Sequence, residues 1–481
     1  MYSFLISLVV LIAGYFIYGV FIEKVFGIDK NRKTPAYTKT DGVDYIPLPT
    51  WKIFLIQFLN IAGLGPIFGA IMGVMFGPAA FLWIVLGTIF AGAVHDFMSG
   101  MISLRSDGAS LPEIVGAQLG LPVKQVMRAF SILLMILVGA VFVINPAVLL
   151  GQLTGDASNY YIWVYAIFGY YILATLLPID KFIGNIYPLF GLALLFMAVG
   201  VFVALFDHMH VIPEFTEGLY NHQPDAEKYP IFPMMFISIA CGAISGFHAT
   251  QSPMMARCMK NEKYARPVFY GAMVTEGIVA LIWAAAAIAF AGSFEGVHDI
   301  LSANNGSPAV LVNSISRDWL GVAGGVLAML GVIAAPITSG DTALRSARLI
   351  AADFLKYDQS TIMKRLIISL PIFLLAFIVM KIDFTILWRY FAWCNQTLAV
   401  FTLWALTVYL AREGKAYIIT LVPALFMSMV TVSYIFLAPE GFELDDNLSI
   451  IIGAAVTIIF FGLFLKFLLQ LKEEKCVVTR S

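Results

Sequence analysis

The sequence predicts an all-α, polytopic integral membrane protein with about thirteen transmembrane helices. Hydrophobic residues make up 60% of the 481 positions, charged residues make up 12%, and the mean hydropathy is +0.88. Soluble domains carry roughly 25% charged residues, so this chain has too little polar surface to form a water-soluble globule. Apolar stretches that can cross a hydrocarbon layer of ~30 Å recur from Leu5 to Leu469. Helices are predicted because backbone groups in lipid must be satisfied within each segment.

The predicted spans follow the apolar stretches along the chain. They cover residues 3–26, 53–76, 79–104, 129–152, 159–178, 185–206, 231–256, 267–292, 319–350, 361–380, 384–411, 416–438 and 447–471. The two longest connections, 207–230 and 293–318, are too short to fold as soluble domains and suit short amphipathic helices or gates at the membrane surface.

Charge asymmetry predicts the orientation of these spans. With the N-terminus outside, most of the 29 Lys and Arg residues fall in cytoplasmic connections, as the positive-inside rule expects. The connections on the other side are acidic, with Glu214, Glu217, Asp225 and Glu227 in one and Glu440, Glu443, Asp445 and Asp446 in another. An odd number of spans then places the C-terminus in the cytoplasm, and the lipid bilayer is the expected partner of the apolar surface.

Several classes of site and partner are disfavoured by composition. The first span has no basic segment before it and no small-residue cleavage pattern, so it is interpreted as a retained helix rather than a signal peptide. The cysteines, Cys241, Cys258, Cys394 and Cys476, occur singly, which favours small buried side chains over disulfides or a thiolate metal site. A net charge of −1 gives no indication of nucleic-acid binding. No cofactor and no bound metal are predicted.

Two spans carry helix-breaking residues near their centres. The second contains Gly63-Leu64-Gly65-Pro66, which lowers helix propensity and removes one backbone donor. The seventh contains the run from Gly242 to His248, GAISGFH, with Ser252-Pro253 one turn later. We therefore expect non-helical backbone near 63–66 and 243–248.

The positions of the two breaks predict an internal repeat. Five spans run from the first broken helix to residue 206, and five run from the second to residue 411. Halves with an odd number of spans are inverted relative to each other, which is the plan of many secondary transporters. The predicted units are 1–52, an N-terminal helix and cytoplasmic linker; 53–206, the first repeat; 207–230, an outer loop; 231–411, the second repeat; and 412–481, two C-terminal helices and a cytoplasmic tail.

The breaks are the predicted substrate site. Freed N–H groups and the positive ends of half-helices suit an anionic group of a substrate, while unwound carbonyls suit a cation. The candidate substrate-binding residues are Gly63, Gly65, Pro66, Ser245, Gly246 and His248. The alternative is that the glycines only permit close helix packing.

Six stretches of the chain resemble the carbon starvation protein A (CstA) family, which is related to the amino acid, polyamine and organocation superfamily. They are GVDYIPLPTW (42–51), IAGLGPIFG (61–69), AGAVHDFMSG (91–100), RSDGASLPEIVG (105–116), CGAISGFHA (241–249) and SGDTALRSARLIAAD (339–353). The resemblance implies a leucine-transporter-like core in a bacterial inner membrane, and uptake of pyruvate or short peptides during carbon limitation. The chain is shorter than the best-known members, and it reads TQSPMMARC after SGFHA, where those members have a Ser-, Gly- and Thr-rich turn.

Few ionisable residues lie within the spans, and each is a functional candidate because an unpaired charge in the membrane is costly. Asp96 follows His95, but adjacent helical residues point about 100° apart, so the two are not expected to form a dyad. Asp96 shares a face with Gly92 and Gly100, which suits either a proton relay or gate, or a structural hydrogen bond. Glu276 is flanked by apolar positions, and burial favours the neutral form of a carboxyl group, as a proton carrier requires. His248 suits either a substrate carboxylate or titration during transport.

A second candidate group lies in the ninth span. Thr338, Ser339 and Asp341 follow Pro336. In leucine-transporter-like folds, the corresponding helix meets the first broken helix at a sodium site of hydroxyls and carbonyls, so the resemblance implies Na⁺ ligands here. Asp341 also precedes Arg345 and Arg348 by four and seven residues, so an internal ion pair is an equal alternative.

Other polar residues have simpler interpretations. Asn60, Asn145, Asn395 and Gln396 suit hydrogen bonds between helices more than a cavity lining. Arg389 is expected to extend its charge to the membrane interface. His208, His210 and His222 suit a solvated loop more than a metal site.

The predicted function is import of a small solute, either a pyruvate-like carboxylate or a short peptide, by alternating access coupled to H⁺ or, less favoured, to Na⁺. A membrane-embedded enzyme using His95, Asp96 and His248 is disfavoured because no HExxH, GxSxG or paired metal-ligand motif occurs. A channel or sensor is disfavoured by the inverted halves, and a self-contained ATP-driven pump by the absence of a GxxxxGK motif.

Overall fold

The computed structural model describes residues 2–40, 45–154, 160–176, 179–304, 306–359 and 361–478, and every regular element within them is a helix. The helices are α1 (Tyr2–Phe26), α2 (Thr50–Ile61), α3 (Gly65–Gly73), α4 (Ala79–Arg105), α5 (Leu111–Leu119), α6 (Leu121–Leu153), α7 (Tyr160–Leu176), α8 (Ile179–Leu205), α9 (Gly246–Ala256), α10 (Gly271–Ala291), α11 (Phe294–Ala303), α12 (Pro308–Ala328), α13 (Ala335–Leu355), α14 (Ile362–Val379), α15 (Phe384–Arg412), α16 (Ile418–Leu437) and α17 (Asp446–Val478).

The helical, membrane-spanning character predicted from composition is confirmed. Within the described ranges, nine helices are long and apolar enough to cross a membrane, and the number rises to eleven if each of two bent helix pairs forms one span. Of the remaining predicted spans, 159–178 corresponds to a shorter apolar helix, Tyr160–Ala174, and 231–256 is interrupted. The count of thirteen stays a prediction.

Both predicted interruptions are present, but Gly65, Pro66 and residues 246–248, which the sequence predicts to be non-helical, begin the helices that follow. Helix α2 ends at Ile61 and α3 begins at Gly65, with a bend of 44° between them. In the seventh predicted span, helical turns at 231–238 end before Ile239, and α9 begins only at Gly246. Glycine runs and Pro66 explain the first break, because they remove propensity and a backbone donor where a lipid-spanning helix needs both.

A third bend was not predicted. The span predicted as a continuous 319–350 instead covers the end of α12 and most of α13, and the axes of these two arms meet at 54° across a break after Leu327. Gly321 has a φ of 60° inside α12, and a π-helical turn at Met329–Ala334 leads into α13. Glycines crowd this segment at 321, 324, 325 and 331, so the start of the predicted span at 319 is wrong because the backbone leaves the helical conformation two residues later.

Burial separates central from peripheral helices. In α4, α6, α10 and α15, 83% of the most apolar stretch is buried, compared with 17% in α17 and 28% in α1 and α14. The central helices therefore pack against protein on most sides, and α1, α14 and α17 present apolar side chains outward. The broken segments lie among the central helices, because α3 packs on α10 and α9 packs on α4 and α15.

The two ends of the bundle differ in charge. At the basic end, the buried Glu262 accepts hydrogen bonds from Arg105 at 3.0 and 2.8 Å and from the backbone N–H of Asp29 at 2.8 Å. These contacts join the linker after α1, the end of α4 and the segment before α10. At the acidic end, Glu214 accepts hydrogen bonds from the N–H groups of Tyr2 and Ser3 at 2.8 and 2.7 Å. Helix α11, in the connection predicted to hold a short amphipathic helix, lies at the acidic end with Phe294, Val297 and Leu301 buried.

Candidate functional site

The two breaks pack directly against each other through glycine. A Cβ at Gly65 would overlap the side chain of Cys241, and a Cβ at Gly242 would lie 3.8 Å from the Cα of Pro66. A Cβ at Gly69 would come within 2.9 Å of the carbonyl oxygen of Ser238. In this conformation the glycines permit close packing, which was the alternative to a substrate site. No space for a ligand remains between Gly65 and Cys241.

Helix α15 satisfies polar groups that the second break releases. The side-chain oxygen of Asn395 accepts hydrogen bonds from the hydroxyl of Ser245 at 3.0 Å and from the backbone N–H of Phe247 at 2.7 Å. Gln396 donates to the carbonyl oxygens of Phe236 and Ala240, both at 3.3 Å. Asn395 and Gln396 thus make the interhelical hydrogen bonds predicted for them, and Asn395 occupies one of the N–H donors expected to face a substrate. A Cβ at Gly246 would overlap the α15 backbone, which explains the glycine at the start of α9.

Four ionisable side chains form a buried chain across three helices. Nδ1 of His95 lies 2.8 Å from Oδ1 of Asp96, and Nδ1 of His248 lies 2.9 Å from Oδ2 of the same carboxylate. Nε2 of His248 lies 3.4 Å from Oε2 of Glu276. All four residues have no exposed surface. The His95–Asp96–His248–Glu276 relay, as we call it below, connects α4, α9 and α10 at the second break.

One prediction about this group is wrong, because His95 and Asp96 do form a dyad. Their Cα–Cβ bonds diverge, but consecutive Cα atoms are only 3.80 Å apart and Nδ1 lies close to the histidine backbone, so the side chains meet along the helix surface. Asp96 shares its helix face with Gly92 and Gly100, and these glycines let neighbouring segments approach closely, as predicted. A Cβ at Gly92 would overlap the carbonyl of Ala243 in the second break, and a Cβ at Gly100 would come within 2.5 Å of the Phe269 ring.

The contact between His248 and Glu276 requires a proton. An ionised Asp96 accepts a hydrogen from Nδ1 of His248, so a neutral His248 presents a bare Nε2 to Glu276. A nitrogen lone pair and an ionised carboxylate repel each other. In the part of the chain that the structure describes, neither the oxygens of Glu276 nor Nε2 of His248 have a hydrogen-bond partner. One proton therefore resides either on Nε2 or on Glu276, since an isolated buried carboxylate is strongly disfavoured. The geometry offers one proton two positions, Nε2 of His248 and the carboxyl group of Glu276, which lie 3.4 Å apart.

Ser339 and Asp341, two of the candidates in the ninth predicted span, make contacts with different parts of the molecule. The hydroxyl of Ser339 donates to the carbonyl oxygen of Leu59 at 3.3 Å, at the unwound end of α2, and lies beside Gly63. Thr338 donates to Ala335 in its own helix at 2.7 Å. Asp341 accepts from the hydroxyl of Tyr187 at 3.3 Å and lies 4.0 Å from Arg345. Ser339 thus reaches the first break as the resemblance implied, whereas Asp341 forms the internal ion pair considered as the alternative.

A cavity of about 310 Å³ lies at the acidic end, and the sequence did not indicate it. It is lined by Met72 and Met75 after the first break and by Met234 and Ser238 before the second, together with Trp388 and Arg389 of α15. The sequence predicts that Arg389 extends its charge to the membrane interface. Its guanidinium lies 3.3 Å from Glu440, in the acidic connection after α16, and 3.4 Å from the hydroxyl of Tyr229. A charged partner 51 residues away has no local sequence signal.

The remaining polar candidates lie apart from these sites. Asn145 donates within α6 to Val141 at 3.4 Å. His208 stacks on Trp319 and His222 stacks on Phe294, at ring-centroid distances of 4.6 and 4.1 Å, while the side chain of His210 lies outside the described residues. Among the side chains described, no group of three or more His, Cys, Asp and Glu residues could hold a metal ion.

Sequence comparison identifies relatives over most of the chain. Residues 1–158 and 147–320 match the family described as carbon starvation protein CstA. An uncharacterized membrane protein of Haemophilus influenzae is 46% identical over 349 residues, which cover 62% of this chain and 94% of that protein. The peptide transporter CstA of Bacillus subtilis is 31% identical, over 58% of this chain and 57% of its own length. The pyruvate/proton symporter BtsT of Escherichia coli is 30% identical, over 57% and 47%. The chain thus spans about half the length of these two named transporters.

Solved structures share the fold. The manganese transporter of Eremococcus coleocola, crystallised with an aromatic bis-isothiourea compound, aligns with 90% of this chain and 99% of its own, with a TM-score of 0.58 and 14% sequence identity. A mutant of that transporter, in which one histidine is replaced by alanine, aligns over the same shares with a TM-score of 0.54. At this identity the likeness concerns the arrangement of helices alone.

Proposed function

The chain belongs to the carbon starvation protein CstA family, and on that basis we propose that it is a secondary active transporter that imports a small carboxylate or short peptide together with protons. The relatives named above are a peptide transporter and a pyruvate/proton symporter, and the multi-pass helical architecture agrees with a transport role. No motif in the chain points to an enzymatic activity instead.

The buried relay is the observation that carries the proposal. An apolar pair of equal volume would fill the space of His248 and Glu276 without burying ionisable groups, so packing alone does not explain the pair. A proton symporter, in contrast, needs a buried site that binds a proton. The relay also joins Asp96 of α4 to the second break, so motion of α9 would change the surroundings of the proton. In this mechanism Asp96 orients His248 and holds its tautomer, and Glu276 and His248 exchange the transported proton with one side of the membrane at a time.

We propose the architecture that suits this mechanism. Residues 53–206 and 231–411 form two inverted units of five spans within thirteen, and 1–52, 207–230 and 412–481 lie outside them. The support is that each unit opens with a broken helix and that the two breaks meet at Pro66 and Gly242. The acidic end then faces the outside, with the N-terminus, and the C-terminus lies in the cytoplasm of a bacterial inner membrane.

Substrate passage is proposed at the same breaks. When the half-helices separate, Gly63, Gly65, Pro66, Ser245 and Gly246 would line the path, because glycine lets the backbone approach a ligand closely. Separation of α9 would also release the N–H of Phe247 from Asn395. His248 is assigned to the relay, since both of its ring nitrogens face carboxylates.

Sodium coupling is the second candidate. The observation in its favour is the contact of the Ser339 hydroxyl with the Leu59 carbonyl at the first break, because oxygen ligands of this kind suit a hard cation. Thr338 and Asp341 would then act in gating around it.

Transport into proteoliposomes tests the proposal. The purified full chain would be reconstituted with a pH-sensitive dye inside, and labelled pyruvate or dipeptide would be added with and without a Na⁺ gradient. We expect substrate entry to acidify the interior and an imposed inward proton gradient to drive accumulation without Na⁺. Accumulation that persists with a proton uncoupler and requires Na⁺ would contradict proton coupling and favour the Ser339 site.

A further inference from the structure

The cavity at the acidic end has one ion pair in its wall, and that pair is loosely held. The Arg389 to Glu440 distance is 3.3 Å, and the Arg389 to Tyr229 hydroxyl distance is 3.4 Å. Charge-assisted hydrogen bonds between guanidinium and carboxylate are normally about 2.7–2.9 Å long. The Arg389 side chain is 29% exposed, whereas that of Glu440 is 5% exposed. The guanidinium also lies over the Tyr229 ring, 5.3 Å from its centroid, and its long contact with Glu440 is the one that a ligand in the cavity would replace.

Glu440 is anchored independently of Arg389. Its second carboxylate oxygen accepts a hydrogen bond from the hydroxyl of Tyr434, and its backbone carbonyl accepts one from Tyr390 at 2.6 Å. A ligand could thus part Arg389 from Glu440 without moving Glu440. The acid would still need a cation, because a buried carboxylate that loses its charged partner is strongly destabilised.

The rest of the wall is apolar and adaptable. Met72, Met75 and Met234 line it with Trp388, and methionine side chains adjust to ligands of different shape. The volume of about 310 Å³ falls at the lower end of the range of small-molecule pockets. Ser238 belongs to this wall, and its carbonyl packs against Gly69, so the cavity adjoins the contact between the broken helices.

We propose that this cavity is the entry site for a zwitterionic substrate, an amino acid or short peptide with free ends, whose carboxylate binds Arg389 and whose ammonium group binds Glu440. Such a ligand replaces one long ion pair by two charge-assisted contacts and adds no net charge to the site. A pyruvate-like acid would bind Arg389 but supply no cation for Glu440, whose carboxylate would then keep only the hydrogen bond from Tyr434. The inference rests on the proposed transport function, and it selects the zwitterionic class within it.

Binding to the purified full chain in detergent tests the ligand class. Isothermal titration would compare leucyl-alanine, its N-acetyl and C-amide derivatives, and pyruvate, without any gradient. We expect the free dipeptide to bind at least about tenfold more tightly than each of the other three, since a hydrogen bond to a charged group is lost in every case. Equal affinity for pyruvate and the dipeptide would overturn the zwitterionic assignment.

Variants at the two charges test the site itself. Arg389→Gln should weaken dipeptide binding at least about tenfold and abolish the preference over the C-amide, and Glu440→Gln should abolish the preference over the N-acetyl derivative. Arg389→Lys keeps the charge but not the bidentate fork, so it should retain part of the affinity. Lys381→Gln and Glu443→Gln, which remove exposed charges outside the cavity wall, should bind as the wild type does.

Two controls keep the results separable. Thermal unfolding without ligand identifies a variant that fails to fold. In that case, the affinity of Arg389→Lys and the binding of the N-acetyl and C-amide dipeptides to the wild type still test the site. Wild-type preferences in folded Arg389→Gln and Glu440→Gln would overturn the site while leaving proton coupling intact. Dipeptide binding with the expected preferences, but without proton movement in proteoliposomes, would overturn the coupling mechanism alone.

Discussion

At the scale of single residues, the relay is defined by contacts rather than by residue type. Asp96, Glu276 and Asp341 are all buried carboxylates, but their partners differ. Asp341 has the guanidinium of Arg345 at 4.0 Å and the hydroxyl of Tyr187 at 3.3 Å. Glu276 faces only His248 among the charged groups that the structure describes within contact distance. Glu276 is therefore the carboxyl group that we propose for coupling.

Glu276→Gln tests this assignment, because glutamine resembles the protonated acid and cannot release the proton. We expect the variant to exchange labelled substrate across the membrane in counterflow while losing accumulation driven by a proton gradient. One proton at 100 mV supplies about 2.3 kcal/mol, so the wild type should accumulate substrate roughly fiftyfold and the variant should not exceed equilibrium. Glu443→Gln, at an exposed position, is the control. Loss of coupling in Asp341→Asn with normal coupling in Glu276→Gln would assign the proton to the other carboxyl.

At the scale of helices, the two breaks interlock through residues without bulk. Gly65 lies against Cys241, Gly69 against Ser238, and Gly242 against Pro66 and Ala280. Between membrane helices such contacts are stabilised by close packing, because lipid supplies no hydrophobic drive for helix association. The glycines therefore have two roles that agree with each other, since the residues that end each helix also let the broken segments approach.

Gly65→Ala should destabilise the protein by about 1–3 kcal/mol, because the added methyl group overlaps the Cys241 side chain. The double variant Gly65→Ala with Cys241→Gly removes the overlapping atoms and should recover most of the loss. Gly169→Ala in α7 is the matched control, because a Cβ there meets nothing within 4 Å. The measurement is the thermal unfolding midpoint in one detergent for the wild type, Gly65→Ala, Cys241→Gly, the double variant and Gly169→Ala. Additive effects of the two substitutions would show that Gly65 and Cys241 do not interact.

At the scale of the whole molecule, the two ends have different contacts. The basic end is held together by the contacts of Glu262 with Arg105 and the linker at Asp29, whereas the acidic end contains the cavity. In the proposed transport cycle, this asymmetry suits a state in which the cavity at the acidic end receives substrate. With the orientation that the charge distribution predicts, substrate would enter from outside.

Cysteine labelling tests that orientation. In a background with the four native cysteines replaced, Glu443→Cys at the acidic end should react with a membrane-impermeant maleimide in intact cells. Lys356→Cys, after α13 at the basic end, should react only after permeabilisation. Both positions are exposed, so solvent access is matched. The reverse pattern would place the N-terminus in the cytoplasm and turn the proposed entry cavity into an exit.

The sequence by itself determined the features that depend on local chemistry. Apolar length determined the spanning helices, and Gly63 to Pro66 and Gly242 to Ser245 determined where two of them break, because the loss of helix propensity and of backbone donors acts within a few residues. The same reasoning missed the bend at Gly321, where several glycines occur without proline.

Only the tertiary structure decided which side chains meet. Asp96, His248 and Glu276 come together from three helices, and Arg389 meets Glu440 across the cavity. Helical periodicity predicts the face on which a residue lies, but not which other helix covers that face. The sequence predicts Asp96, His248 and Glu276 as candidates, but their mutual contacts and the contact of Arg389 with Glu440 depend on how the whole bundle packs and had no signal in local sequence.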